Sequence, residues 1–125
     1  VSEYMMTGED ILQGAKFEDV IARACYGIDI HGQKGEKSRM EELAEGNWYD
    51  IPLRTLLVKD TQNIMAAGRC IGATREGHSA LRIMPTGVAT GESCGVTASM
   101  AVKNNCSLRE VPYPELKKHL LHNIA

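Results

Sequence analysis

The stretch Leu81 to Val102, LRIMPTGVATGESCGVTASMAV, decides how the rest of the chain is read. Pro85 suits the first turn of a helix, where its missing N–H costs nothing. The segment before it, Ser79 to Met84, reads as a short lead-in, and the helix runs from Pro85 to about Lys103, ending at Asn104-Asn105. Gly87, Gly91 and Gly95 follow one another at four-residue spacing near one stripe of that helix. Each glycine costs roughly 1 kcal/mol relative to alanine in a helix interior, so the composition implies close approach of something to the backbone. The expectation divides the three: Gly87, at the amino end, admits a ligand edge, while Gly91 and Gly95 admit a packed strand.

Outward from this helix, Asn63 to Cys70 (NIMAAGRC) is an apolar run of the kind found in buried parallel strands. Trp48 to Val58 is strand-like, with Pro52 confining part of it to an edge or bulge. Near the amino terminus, Val1 to Met6 alternates as a strand, and Thr7 with Asp10 three residues on starts a short helix through about Leu12. Lys16 to Ala24 reads as a second helix with Phe17, Val20 and Ile21 on one face, and Tyr26 to Ile30 as a short strand. His31 to Asn47 is a charged surface loop with a helical turn or two at Met40 to Ala44. Pro114 opens a terminal helix with Leu116, Leu120 and Leu121 inward and Lys117, Lys118 and His122 outward.

The bulk numbers exclude several classes. The 125 residues suffice for one domain with a core. A net charge of -2, with both signs interspersed, argues against nucleic acid or an anionic membrane as partner. Aromatic residues make up only 5%, so the core is aliphatic. Cys25, Cys70, Cys94 and Cys106 form no C-x-x-C pair and read as small buried thiols in a reducing compartment, which points to a cytoplasmic setting. No His, Cys and carboxylate spacing suggests a metal site, and no apolar run approaches the ~20 residues needed to span a bilayer.

Three runs carry a family resemblance: YDIPLRTLLV (Tyr49 to Val58), NIMAAGRCIGAT (Asn63 to Thr74) and LRIMPTGVATGESCGVTASMAV. Together with Asp29-Ile30-His31 and Thr7 to Asp10, they make the chain similar to the C-terminal part of bacterial FAD-dependent oxidoreductases. The resemblance implies an α/β fold, a partial Rossmann-like FAD-binding unit of short strands, one long glycine-striped helix and a C-terminal helix. It implies one domain over residues 1–125, with 1–60 resembling substrate-side strands and 61–125 the closing strand and helix of the FAD domain. The usual G-x-G-x-x-G loop is absent from these residues. Because the chain opens on Val1 inside a strand-like run, the expectation is a fragment of a longer flavoprotein that binds FAD weakly and is inactive alone.

On the same resemblance, Gly68 and Arg69 lie near the ribityl and pyrophosphate groups. Met84, Pro85, Thr86 and Gly87 would face the flavin, with the helix amino end directed at its pyrimidine edge, where reduced flavin carries negative charge, and Arg82 would face either the flavin or a substrate carboxylate. Arg69 could instead pair with Glu92 or Glu76. Departures from the family pattern at Leu53, Gly72, Arg75 and Gly87 leave substrate choice open. His78 is the acid-base candidate in a loop, with His31 similar to it. Arg54 is the candidate for an anionic group of a small-molecule substrate. A competing reading is a non-enzymatic interaction module that docks a partner through its apolar helix face. Uncovered apolar surface predicts self-association.

Overall fold

The computed structural model describes residues 1–32, 34, 35 and 37–125. Helix α1, Gly8–Gln13, begins as the sequence predicts: Thr7 Oγ1 accepts from the Asp10 N–H at 3.1 Å, and the Asp10 carboxylate accepts from the Thr7 N–H at 2.8 Å. Gly14, in the left-handed conformation at φ 65°, ends it.

The next segment corrects the helix expected at Lys16 to Ala24. It is instead strand β1, Val20–Ala24, paired antiparallel with β4, Tyr49–Pro52. Val20, Ile21 and Ala22 are buried in succession, so both strand faces are covered. An apolar run of that length cannot be told from a helix face by periodicity. Asp50, itself buried, anchors the strand entry by accepting from the Phe17 N–H at 3.1 Å and from Arg23 Nε at 3.2 Å.

Strand β2, Ile28–Ile30, pairs antiparallel with β3, Arg39–Glu41. This β3 replaces the helical turn expected from Met40. The charged-loop reading also covers Gln33 and Glu36, which lie outside the described residues. Both sheets are two-stranded, and such pairs need covering elements to persist. Tyr49 is fully buried between them, donates its hydroxyl to the Tyr26 carbonyl at 3.1 Å and has its pKa pushed up by burial.

The run at Asn63 to Cys70 is also corrected. It is an extended arm held to Leu56–Val58 by an antiparallel bridge between Leu57 and Met65 and by the Ala66 N–H to Leu56 carbonyl bond of 2.8 Å. Ile64 stays half exposed, and a 3-10 turn over Gly68–Cys70 ends the arm, with Gly68 at φ 60°. Val1 to Met6 likewise makes only isolated bridges, Ser2 to Val58 and Met6 to Ala73.

Helix α2, Arg75–Leu81, occupies most of the expected lead-in and is capped by Thr74. Helix α3, Met84–Asn104, follows the sequence reading closely, stopping at Asn105 in the left-handed conformation. Helices α4, Tyr113–His119, and α5, Leu121–Ile124, close the chain. Leu116 and Leu120 are buried as expected, but Leu121 is exposed and Ile124 takes the inner position. Arg109 ties the two ends of the chain together, binding Glu3 and the carbonyls of Val58 and Thr61.

The packing role expected of Gly91 and Gly95 is not met within this chain. A Cβ built at Gly87, Gly91 or Gly95 would meet nothing within 4 Å. The glycines that admit close approach lie elsewhere: a Cβ at Gly77 would stand 2.2 Å from the Met6 carbonyl oxygen, and at Gly72 2.3 Å from that of Tyr4. Two substitutions test this contrast by urea unfolding. Gly91→Ala gains helix propensity against open space and should raise stability by about 1 kcal/mol. Gly77→Ala forces backbone apart and should lower it measurably.

Candidate functional site

The amino end of α3 is the centre of the candidate site. Helices α1 and α2 each have a threonine cap, but α3 begins after Ile83, whose side chain offers no acceptor. The first-turn N–H groups of a helix lack internal partners and carry partial positive charge. Here they sit at an accessible end: Met84 is 86% exposed and Pro85 is exposed as well. Thr86 is buried beneath them. Gly87 presents open space where any other residue would present a side chain.

Around this end the predicted residues fall into two groups. Arg82, the carboxy cap of α2, is turned toward β2. Its Nη2 donates to the Asp29 carbonyl at 3.2 Å and stands 3.7 Å from the Asp29 carboxylate. Gly68 abuts α3 from the other side, its N–H donating to Thr90 Oγ1 at 3.0 Å. That donor is therefore used within the protein. Arg69 is exposed, and its guanidinium makes no ion pair with Glu92 or Glu76. Glu92 is engaged instead by His122 at 3.0 Å and Asn123 at 2.9 Å.

His78 lies on α2 rather than in a loop, with Nε2 3.1 Å from the Arg69 carbonyl oxygen. Arg54 is held by Asp19 through Nε at 3.0 Å and Nη2 at 3.1 Å, and lies over the rings of Tyr4 and Phe17. No contact joins His78 to Arg54 among the described residues. The sequence did not reveal that Asp29 and Arg82, 53 positions apart, meet beside α3. The nearest signal was the resemblance carried by Asp29-Ile30-His31.

A cavity of about 530 Å³ runs beside the first turn of α3, lined by Tyr26, Ile51, Ile83, Pro85, Thr86 and Ala89 among others. The burial expected of the cysteines is not met at Cys25 and Cys70, which are exposed in the segment after β1 and in the Gly68 turn; Cys94, further along α3, has its thiol pKa pushed up to about 11 by burial and is no nucleophile at neutral pH. Among the described residues no group of three or more His, Cys, Asp and Glu could hold a metal ion, and no helix is long and apolar enough to cross a membrane.

A protein-family model described as FAD dependent oxidoreductase matches residues 1–120, and the chain belongs to that family. The oxidoreductase role and FAD as the family's cofactor follow from that membership. No curated protein and no solved structure matches the chain. Its α/β build of small sheets and helices is compatible with part of an FAD-binding fold. The residues at the α3 amino end are compatible with the family's cofactor: the terminus has no side-chain cap, and Gly87 presents open space beside it.

The clamp on Glu92 gives a pH prediction. Its hydrogen bond from Asn123, then that to His122, holds the carboxyl below its usual 4.5. A lowered folded pKa stabilises the fold above the unfolded value and loses that contribution as pH falls through the folded one. Protection of the amides at residues 121–124, taken relative to their intrinsic exchange rates, should therefore fall as the pH drops below about 4.5, and Glu92→Gln should flatten this acid dependence. An identical profile in the variant would show that the clamp contributes nothing.

Proposed function

We propose that this chain supplies the pyrimidine-side wall of a flavin site in an oxidoreductase that moves a hydride between a small organic substrate and FAD. The observation that carries the reading is the amino end of α3, uncapped, exposed and bare at Gly87, in a chain of this family. Met84 and Thr86 would offer their backbone N–H groups and the helix dipole to the N1–C2=O edge, while Pro85, which has no N–H, and Gly87, whose N–H donates to the Ile83 carbonyl at 3.1 Å, would shape the space around it. Arg69, exposed and without an ion pair among the described residues, would reach a phosphate or ribityl oxygen, with the Gly68 turn bringing it forward. Arg82 would stand between this edge and the substrate side, fixed by Asp29. When bound, the flavin supplies the electron acceptor, and the protein contributes orientation and electrostatics.

The outer face of α3 supports the fragment reading. Met84, Val88 and Val102 are strongly exposed there, in line with the open positions at Gly91 and Gly95. Thr90, Ser93 and Thr97 are buried on the opposite side, each hydroxyl bonded at 2.7 Å to the carbonyl four residues back. A helix with its apolar stripe outward is built to be covered on that side as well. That cover is the rest of a Rossmann-like FAD domain, and a chain without it would bind FAD weakly and self-associate. The same face also suits the competing reading, a docking module without catalysis.

Quenching of FAD fluorescence on titration separates the two. Gly87→Val should lower FAD affinity tenfold or more while leaving the fold intact, since its Cβ meets nothing inside this chain. Equal FAD affinity in the two proteins would remove Gly87 from the site. No FAD binding by the full-length protein would favour the docking module.

A further inference from the structure

The cavity beside the first turn of α3 holds an arginine that the flavin reading leaves unused. It measures about 530 Å³, within the range of small-molecule sites. Ala22, Ile51, Ile83 and Ala89 give it an apolar wall, Pro85 and Thr86 join it to the end of α3, and Arg23 of β1 lines it as well. Strand β1 pairs only with β4 among the described residues, so no strand covers its other edge. Arg23 is set in place from two sides. Asp50, its partner across the ladder and only 3% exposed, accepts from Nε at 3.2 Å. The guanidinium carbon lies 5.4 Å from the centre of the Trp48 ring. Among the described residues neither Nη1 nor Nη2 of Arg23 has a partner. Arg54 and Arg82 differ: Arg54 spends Nε and Nη2 on Asp19, Arg82 Nη2 is bonded to the Asp29 carbonyl, and neither lines the cavity. Lys16 Nζ stands over the same Trp48 ring at 4.3 Å, so the charge of Asp50 is more than balanced by the two cations.

We propose that this cavity binds a small organic acid, with its carboxylate on the free Nη edge of Arg23 and its carbon body against the apolar wall. That this acid is the substrate rests on the flavin reading above. A planar guanidinium held at Nε presents its two Nη groups as a fork that matches the two oxygens of a carboxylate. Because Asp50 and Trp48 fix Arg23 beforehand, binding does not have to order a long side chain at that moment. With the acid group on β1, the body of the molecule extends toward Pro85 and Thr86, the side on which the flavin edge is placed. Arg23 thereby takes the role that the sequence suggests for Arg54, whose donors are turned to Asp19. It binds and orients, and it moves no proton.

Two measurements separate the site from the flavin reading, and the first uses this chain without FAD. Phenylacetate and lactate should bind saturably, read on the probe by saturation-transfer NMR and on the protein as a change in the emission of Trp48, the only tryptophan. The neutral amides of the two acids should not bind. Arg23→Lys keeps a charge beside Asp50 but loses the fork, and should weaken binding about tenfold or more. Ala89→Leu narrows the cavity and leaves Arg23 in place, so it should weaken phenylacetate more than lactate, and it decides the matter if Arg23→Lys destabilises the fold. Equal binding of acids and amides, or unchanged affinity in either variant, would overturn the site. The second measurement adds FAD. Phenylacetate should perturb the absorption spectrum of the bound flavin in the unsubstituted protein, and at the same concentration should leave it unperturbed in Arg23→Lys. A flavin spectrum indifferent to an acid that binds would overturn the acid's role as substrate. Failure to load FAD would count against the flavin reading instead, and the first measurement would still decide the site.

Discussion

The close approach of the amino-terminal arm to two glycines sets the position of nearly everything else. The arm is fixed by backbone bonds: the Met6 N–H to the Gly72 carbonyl at 3.0 Å and the Thr74 N–H to the Met6 carbonyl at 2.8 Å. Those bonds are possible because neither Gly72 nor Gly77 carries a Cβ to strike the Tyr4 and Met6 carbonyls. The arm thereby holds the start of α2, and α2 in turn carries Ser79 and Arg82 to β2. Since α3 begins two residues after Arg82, a distant backbone contact sets where the amino end of α3, the end proposed to face the flavin, points.

Sequence reading was strongest where a local chemical signal acts alone. The Thr7–Asp10 capping box, Pro85 at the start of α3 and Asn105 at its end are each decided within a few residues, and all three stand. It failed where long-range pairing decides. Val20 to Ala24 has the spacing of a helix face, yet the ladder to Tyr49–Pro52 overrides it. Ile64 to Ala67 is as apolar as a buried strand, yet its recorded ladder contacts run to Leu56–Val58, and Gly68 turns it away. Glycines misled in a particular way. Their cost is visible in the sequence, but what approaches them is not, so Gly72 stands out only as a departure from the family pattern and Gly77 not at all, while the open positions on α3 draw the packing argument. Of the candidate site, the α3 entry was legible from its residues and their family resemblance. The meeting of Asp29 with Arg82 was not, because nothing local links β2 to the end of α2.

Helix α3 is apolar on both sides: Ala89, Cys94, Val96, Met100 and Ala101 pack on the core, while Met84, Val88 and Val102 face outward. Its inner seam is lined with hydroxyls that satisfy themselves on the helix's own carbonyls, so the polar atoms are buried without demanding partners from β1 or the Gly68 turn. Thr90 serves both sides, bonding the Thr86 carbonyl and accepting from the Gly68 N–H. The seam thus joins the helix to the Gly68 turn by one neutral bond and leaves the apolar outer stripe with no role among the described residues.

The bond from Arg109 to Glu3 spans 106 positions of sequence, and the arm it secures pairs with residues more than fifty positions away. Contacts of this range form only after long loops close, and closing them costs entropy before any burial rewards it. The helices can form early, but the order of assembly makes the joining of the two ends a late event. Until that happens, the extended Ile64 arm lacks its final surroundings and the α3 stripe lies open. The feature that stitches the finished molecule together therefore also governs its kinetics of folding, and with them the interval in which the unfinished chain is open to aggregation.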